Sequence, residues 1–506
     1  MNATKTYEVD QLKMPGGVSR PRSPGWNAAA IVGVSVGFGL LVAYVSYASG
    51  VIALALLVAV PAAVVTMFMA VPAARQRLME LLPKLTWWHG LWFLLYLSGL
   101  VFRPGRSLSA VRAEPVDAWA MLRIGPELIV CVVLLVRLAL RKPAWLKSFF
   151  RGMVGALAVY AGVCLLSSIW SVYPAWTFYK SWEYLVDVGT LATILVTVQS
   201  TEDYGTLINW TWAILSMELL WTLAQGAIFR NDAWDDMGRL TSVIPMGSSN
   251  AMSGIAGMVA ITALCRLLPI EPLKRSARAF YVAAFMLGFI CLILAKTRNA
   301  LAGFVVAVCL ILFFSRRFRT VAILAVVAAG LLAMSSVQGD LYDYLSRGQT
   351  ENTLTNLNGR MSWWTFAWEQ FSHHPVTGLG AYAGGKFAVL TKIGMEDASS
   401  LHSDYIETIV GSGLGGLLPL LASLIGSWWF LVKFARNRLL TVEERQFAYE
   451  CIGVLGVITV HSFFNVEMTW QAPIPYLLVV GFAEFLRRKY QNVPAMNRSL
   501  RVERSR

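Results

Sequence analysis

Apolar residues in this chain gather into blocks of roughly 17–25 residues, the length a helix needs to cross a bilayer, with short polar turns between them. Fourteen such blocks are predicted as spans, at 27–48, 51–71, 86–102, 119–140, 149–170, 184–199, 206–229, 250–268, 279–296, 299–315, 320–337, 403–432, 447–466 and 473–486. A turn at Ser49–Gly50 joins the first two, and the sixth, Tyr184–Gln199, is short enough to be tilted or partly interfacial. The pattern predicts an all-α polytopic transmembrane bundle of about fourteen spans, within a range of 12–14. Residues 1–26 read as a disordered cytoplasmic tail, 27–337 as helices one to eleven, 338–402 as a periplasmic loop, 403–486 as the last three helices and 487–506 as a basic cytoplasmic tail.

The loop at 338–402 is the longest polar stretch, and long loops in compact proteins are usually functional. A helical piece over Asn358–Phe371 carries Trp363, Trp364, Phe366, Trp368 and Phe371. It reads as an interfacial amphipathic helix, with a platform for sugar rings or a lipid tail as the sharper alternative. Pro375 ends it, and Gly378–Gly385 is expected to form a flexible turn.

Composition agrees with a membrane chain. Of 506 residues, 57% are hydrophobic and 14% charged, against about 25% charged in soluble proteins. The net charge of +14 would by itself suggest nucleic acid, but Lys and Arg concentrate in cytoplasmic loops of membrane proteins. With both termini cytoplasmic, 30 of the 43 Lys and Arg fall on the cytoplasmic side. No nucleic-acid partner is expected. No cleavable signal peptide is read in the polar first 25 residues, and the six cysteines form no Cys-x-x-Cys pair. P-loop, Rossmann-type and metal-ligand motifs are missing, as is an Asp-x-Asp nucleotide-sugar signature. An enzyme of this sequence would draw its energy from an activated substrate.

Charges near the outer membrane face are functional candidates because they are costly there. Arg239 lies in an outer loop; Lys296 and Arg298 lie in a tight turn between two spans, where cations can bind phosphate or diphosphate. Lys296 reads as an interfacial anchor, and Arg298 as the better ligand because the chain re-enters the membrane directly after it. His402, where the long loop meets the next span, could take a proton from a sugar hydroxyl. His373 and His374 read as a helix end, and His89 and His461 as hydrogen-bonded interior residues. Glu183 and Asp187 share one helix face and read as a polar patch paired with bases of neighbouring spans, or as a proton or cation relay in a transporter.

Several segments together resemble the bacterial O-antigen ligase-like family of polysaccharide ligases and polymerases. They are Arg347-Gly348, Leu357-Asn-Gly-Arg360, Trp364, Trp368, His374-Pro375 and Gly378-Leu-Gly380; Leu401-His-Ser-Asp-Tyr-Ile-Glu-Thr-Ile-Val-Gly-Ser-Gly-Leu-Gly-Gly416; Thr297-Arg-Asn-Ala-Leu-Ala-Gly303; Arg239-Leu-Thr241 with Asn250; and Ser168-Ile-Trp-Ser-Val-Tyr-Pro174. The resemblance covers roughly residues 165–470. It implies a metal-independent glycosyltransferase of the GT-C type, without a cofactor, in the bacterial inner membrane and acting at its periplasmic face. The implied donor is a glycan on undecaprenyl diphosphate; the acceptor is a sugar hydroxyl of a second glycan or of a lipid A core. Envelope polysaccharide assembly proteins would be its partners. Carried over by position, Arg239 and Arg298 bind the donor diphosphate, and His402 activates the acceptor. Arg360, Asp404 and Glu407 are supporting residues.

The sequence departs from the family pattern. Ser403 stands where Asn often follows the histidine, Gly411 where an acid is frequent, and Ser242 where Gly often follows Arg-Leu-Thr. Fourteen spans also exceed the twelve usual for ligases. These differences favour a polymerase of exopolysaccharide or O-antigen units over a ligase that builds lipopolysaccharide. A lipid-linked oligosaccharide flippase is the rival from another class. Such a transporter usually shows related halves, and no internal repeat is present. A non-catalytic envelope scaffold is a third reading.

Overall fold

A computed structural model describes residues 84–491, apart from 101–110, 112, 115, 244–246, 269–273, 318–338, 340, 341, 343, 345, 347–355, 357, 358, 396, 397, 438 and 471. The candidate spans at 27–48, 51–71 and 320–337, the N-terminal tail, most of the C-terminal one, and Arg347, Gly348, Leu357 and Asn358 lie outside the described residues.

The protein is all-helical; among the described residues the only β pairings are two isolated bridges, Trp234 with Leu240 and Ser242 with Gly247. In chain order the helices are α1 (Trp87–Leu100), α2 (Ala118–Phe149), α3 (Gly152–Leu166), α4 (Pro174–Thr197), α5 (Thr201–Ile228), α6 (Ser249–Leu267), α7 (Arg275–Leu294), α8 (Arg298–Phe314), α9 (Arg360–His373), α10 (Asp404–Ala435), α11 (Val442–His461) and α12 (Ile474–Gln491). Each of the other eleven apolar blocks coincides with one of these helices. α4 corrects the short sixth block: it starts at Pro174, ten residues earlier, with proline in the first turn, where its missing N–H costs no hydrogen bond. Polar turns supply the helix starts. Ser200 with Asp203 and Thr441 with Glu444 form reciprocal capping boxes for α5 and α11, satisfying N–H groups that have no partner within the helix.

By length and composition α5, α6, α7, α10 and the Gly152–Ile169 stretch can each cross a membrane, and α8 is a shorter apolar helix. The exposed side of α2 carries Leu128, Ile129, Val132, Leu135 and Val136. That spacing makes one apolar helix face, which in a membrane protein meets lipid rather than water. Inside, helices approach through small residues, as is common between membrane helices. A Cβ on Gly288 of α7 would come within 2.8 Å of the Ala260 backbone on α6. One on Gly303 of α8 would come within 3.1 Å of the Val457 carbonyl on α11.

Charges collect at one end of the bundle: Lys84–Glu202 and Arg266–Glu450, at 2.8 and 2.9 Å, and Glu484 with Arg487 and Arg488. Midway through the fold, Glu183 accepts from Arg123 Nε at 2.8 Å and Lys180 Nζ at 2.9 Å, while Asp187 accepts the Ala472 N–H. Glu183 and Asp187 thus form a polar patch packed against neighbouring bases and backbone.

α10 decides the shape of the opposite end. It is interrupted at Gly413, whose φ of 62° is left-handed and natural only for glycine. The interruption admits the loop after α9: a Cβ on Gly413 would lie 2.4 Å from the Val376 backbone. Gly413→Ala is therefore expected to lower stability by at least about 1–2 kcal/mol, read as a drop in melting temperature in detergent. Gly125→Ala in α2, where a Cβ meets nothing within 4 Å, is expected to be neutral or stabilising by up to about 1 kcal/mol.

Candidate active site

The chain between α9 and α10 is not the flexible turn its glycines suggested. Leu379 and Gly380 donate backbone N–H groups to the Val410 and Gly411 carbonyls, which the interruption in α10 leaves without intrahelical partners. On the other side, Val172 donates to the Leu379 carbonyl, Thr177 Oγ1 to Ala381 at 2.8 Å and Trp170 Nε1 to Thr377 at 3.2 Å. Gly380 has a φ of 103°, and a Cβ there would lie 2.1 Å from Ser171 Oγ. The Gly378-Leu-Gly380 and Ser168–Pro174 motifs are therefore two halves of one joint. Beyond it, Gly384–Leu390 forms a buried π-helical turn.

α9 lies against α10 and brings two tryptophans to the start of α10. Trp364 donates Nε1–H to the Leu401 carbonyl at 2.9 Å and stacks on Phe464. Trp363 stacks on the His402 ring, with centroids 6.4 Å apart. Trp368 points outward, 60% exposed, beside Phe371. His373 and His374 close the helix, as their place before Pro375 predicts.

His402 has a φ of 53°, a conformation costing about 1–3 kcal/mol in a non-glycine residue. Its neighbours hold it there. Glu407 accepts the Leu401 N–H, Ser403 caps α10, and the His402 N–H donates to Ser400 Oγ at 3.3 Å. Asp404 is buried and collects four donors from the segment after α11. The N–H groups of Glu467 and Met468 donate to Oδ2 at 2.7 and 3.0 Å. The N–H and hydroxyl of Thr469 donate to Oδ1 at 3.0 and 2.6 Å. Asp404 and Glu407 thus support the histidine through the backbone around it.

Arg239, Arg298 and Arg360 come from three separate parts of the chain, and all are half-buried. Asp235 orients Arg239, accepting its Nε–H at 2.7 Å and its backbone N–H at 3.0 Å. Arg298 opens α8 only four residues after α7 ends. Arg360, the first residue of α9, donates an Nη1–H to the Phe464 carbonyl at 2.8 Å. Burial, then repulsion from Arg239 and Arg298, lowers the Arg360 pKa to about 10. Burial, then the Arg360 charge, lowers His402 to about 3, against a hydrogen bond with Asn465 that raises it. Three guanidinium groups and a neutral imidazole therefore share one field, which suits an anionic group beside a proton acceptor. Lys296 sits in the same turn as Arg298 with a φ of 46°, its ammonium near Gly238.

Sequence reasoning singled out the three arginines and the histidine. It missed Asp235 and the 462–469 segment, which it read as the end of an apolar span. The signal there was a polar run, His461-Ser-Phe-Phe-Asn-Val-Glu467, closing an otherwise apolar block.

The field predicts the protonation state. A histidine with its pKa lowered to about 3 is neutral at every pH above that. Imidazole NMR signals of His402 are therefore expected not to titrate between about pH 5 and 8. Arg360→Gln removes a repelling cation and should move the midpoint upward. An unsubstituted protein whose His402 titrates near 6.5 would contradict this account.

Comparison with known proteins places the same region. A relative from Haemophilus influenzae, described as an uncharacterized protein, is 23% identical over 218 residues, covering 37% of this chain and 52% of that protein. The chain thus spans about half the length of that relative. The family model described as O-Antigen ligase matches residues 283–421, which run from α7 through Arg298, Arg360 and His402 into α10. Over that segment, a little more than a quarter of its length, the chain is similar to the O-antigen ligase family.

Proposed function

We propose that this protein is a polysaccharide polymerase. It transfers a glycan from undecaprenyl diphosphate to a sugar hydroxyl of a second lipid-linked unit, at the periplasmic face of the bacterial inner membrane, with both termini cytoplasmic. The observation that carries this reading is the gathering of Arg239 and Arg298 near Arg360, with Arg360 in turn near His402. In the proposed reaction the acceptor oxygen attacks the anomeric carbon and its proton passes to His402. The bond from that carbon to the diphosphate oxygen breaks, and its electron pair leaves with the diphosphate. Guanidinium groups stabilise the growing charge on the leaving group, so the residues on hand can carry the step without a metal.

The electrostatics supply an order of events. An imidazole held at about 3 is a weak base at neutral pH, because proton transfer is best served by a pKa near the working pH. A diphosphate bound among the arginines cancels the repulsion that Arg360 exerts on His402. Its basicity then rises when the donor is in place and stays low when the site is empty.

Polymerase is preferred to ligase because of the departures around the histidine: Ser403 is used as a helix cap, and Gly411 lies at the joint, with a would-be Cβ 3.1 Å from Ala381. The flippase reading draws no support from Glu183 and Asp187, which are engaged in the packed patch. Purified protein in nanodiscs, given lipid-linked repeat units with and without lipid A core, is expected to form a ladder without core. Transfer onto core alone would establish a ligase instead. Arg239→Ala, Arg298→Ala and His402→Ala are each expected to lower turnover on the order of 100-fold or more at unchanged expression, and full activity in all three would overturn the site.

A further inference from the structure

The turn between α7 and α8 carries two cations, and only Arg298 has a part in the proposed reaction. Lys296 stands two residues before it, half-buried, with a φ of 46°. Ala295 is the C-cap of α7, so Lys296 takes the next position, where a left-handed conformation is common and glycine is the usual occupant. A lysine there bears a backbone strain that glycine would not. Local structure therefore does not select this side chain. Its ammonium meets the loop that holds Arg239: a Cβ built on Gly238 would lie 3.4 Å from Lys296 Nζ. Snorkelling would explain a lysine near the interface, but not one that lies on the Arg239 loop.

Gly238 is itself left-handed, with a φ of 61°, and directly precedes Arg239. On the other side of Arg239, the Leu240 N–H donates at 3.0 Å to the carbonyl of Leu294, the last residue of α7. These two contacts bracket Arg239 and hold its backbone against the turn that bears Lys296 and Arg298. Asp235 in the same loop is engaged by Arg239, whose Nε–H it accepts at 2.7 Å, and among the described residues Lys296 pairs with no carboxylate. Thr297, between the two cations, is buried and leaves α8 without a side-chain cap, its hydroxyl donating to the Ala295 carbonyl at 3.1 Å. The positive end of α8 adds to the cluster. Lys296, Arg298 and Arg239 thus set three cations against one carboxylate.

We propose that Lys296 is a further ligand of the donor diphosphate, which it holds together with Arg239 from the side of the outer loop while Arg298 holds it from the start of α8. This rests on the proposed function, in which the donor is a glycosyl diphosphate. Such a donor carries negative charge on both phosphates before any bond breaks. A compact ammonium therefore adds attraction that ground state and transition state share. Lys296 binds the donor and takes no part in the proton transfer.

The test uses the full-length protein in nanodiscs, with inorganic pyrophosphate as the binding probe and the lipid-linked repeat unit as substrate. Lys296→Gly removes the ammonium and the strain together. It is expected to keep or raise the melting temperature and to weaken pyrophosphate binding about 10-fold. KM for the lipid-linked unit should rise by a similar factor, with kcat within about twofold of the unsubstituted protein. Lys296→Arg keeps the charge and is expected to recover most of both. A lysine that only anchors the turn would give the reverse, a lower melting temperature with pyrophosphate affinity and KM unchanged, and that result overturns this inference. Arg239→Ala and Arg298→Ala test the reading beneath it. If they abolish pyrophosphate binding and Lys296→Gly does not weaken it, this inference falls and the proposed function stands. If the arginine variants also leave binding unchanged, the diphosphate site itself falls. Should Lys296→Gly fail to give a monodisperse protein, Lys296→Gln decides by the same measurements: unweakened pyrophosphate binding rejects the role.

Discussion

The carboxylate of Asp404 is the constraint on which the site end of this protein depends. It sits at the start of α10, where helix N–H groups lack partners and negative charge is favoured. Yet four donors to it come from elsewhere, the turn between α11 and α12. A buried carboxylate is tolerated only when its lone pairs are satisfied, and four donors do that here. The same four bonds clamp the 462–469 segment to the residue two places after His402. Arg360 then reaches Phe464 in that segment, so the histidine and one arginine both take their places from one anion.

A second constraint works against folding. Three guanidinium groups are gathered where burial and mutual repulsion cost free energy, and lowered pKa values of Arg360 and His402 are the mark of it. Such clusters persist when the surrounding structure over-determines them and are typical of functional sites. Here that structure is the Asp235 clasp on Arg239, the short turn before Arg298 and the packing of α9 on α10. An anionic ligand among these groups would relieve the repulsion between them.

Much of this was legible in the residues. Long apolar blocks imply helices because a membrane leaves backbone groups no partner except one another, and eleven blocks coincide with helices of the structure. Arg239, Arg298 and His402 stood out because a charge or imidazole at a membrane boundary is costly without a purpose. The pairing of Gly378-Leu-Gly380 with Ser168–Pro174 was not legible. Two segments more than 200 residues apart in the chain meet through backbone hydrogen bonds, and backbone groups are the same in every sequence. The start of α4 was missed because polar Lys180 and Glu183 hid a helix whose charges are neutralised from within the fold.

The sequence by itself determined the all-helical membrane character and picked out Arg239, Arg298, Arg360 and His402 as candidates for anion binding and proton acceptance. Both follow from local chemistry: hydropathy over one helix length, and the cost of a charge at a membrane boundary. Only the tertiary structure decided that Arg239 and Arg298 act on Arg360, and that the glycine-rich stretch is a joint and not a hinge. Each depends on distance in space between remote segments, set by how small residues let α6, α7, α8 and α11 close up and how Gly413 opens α10. No pattern along the chain encodes those distances.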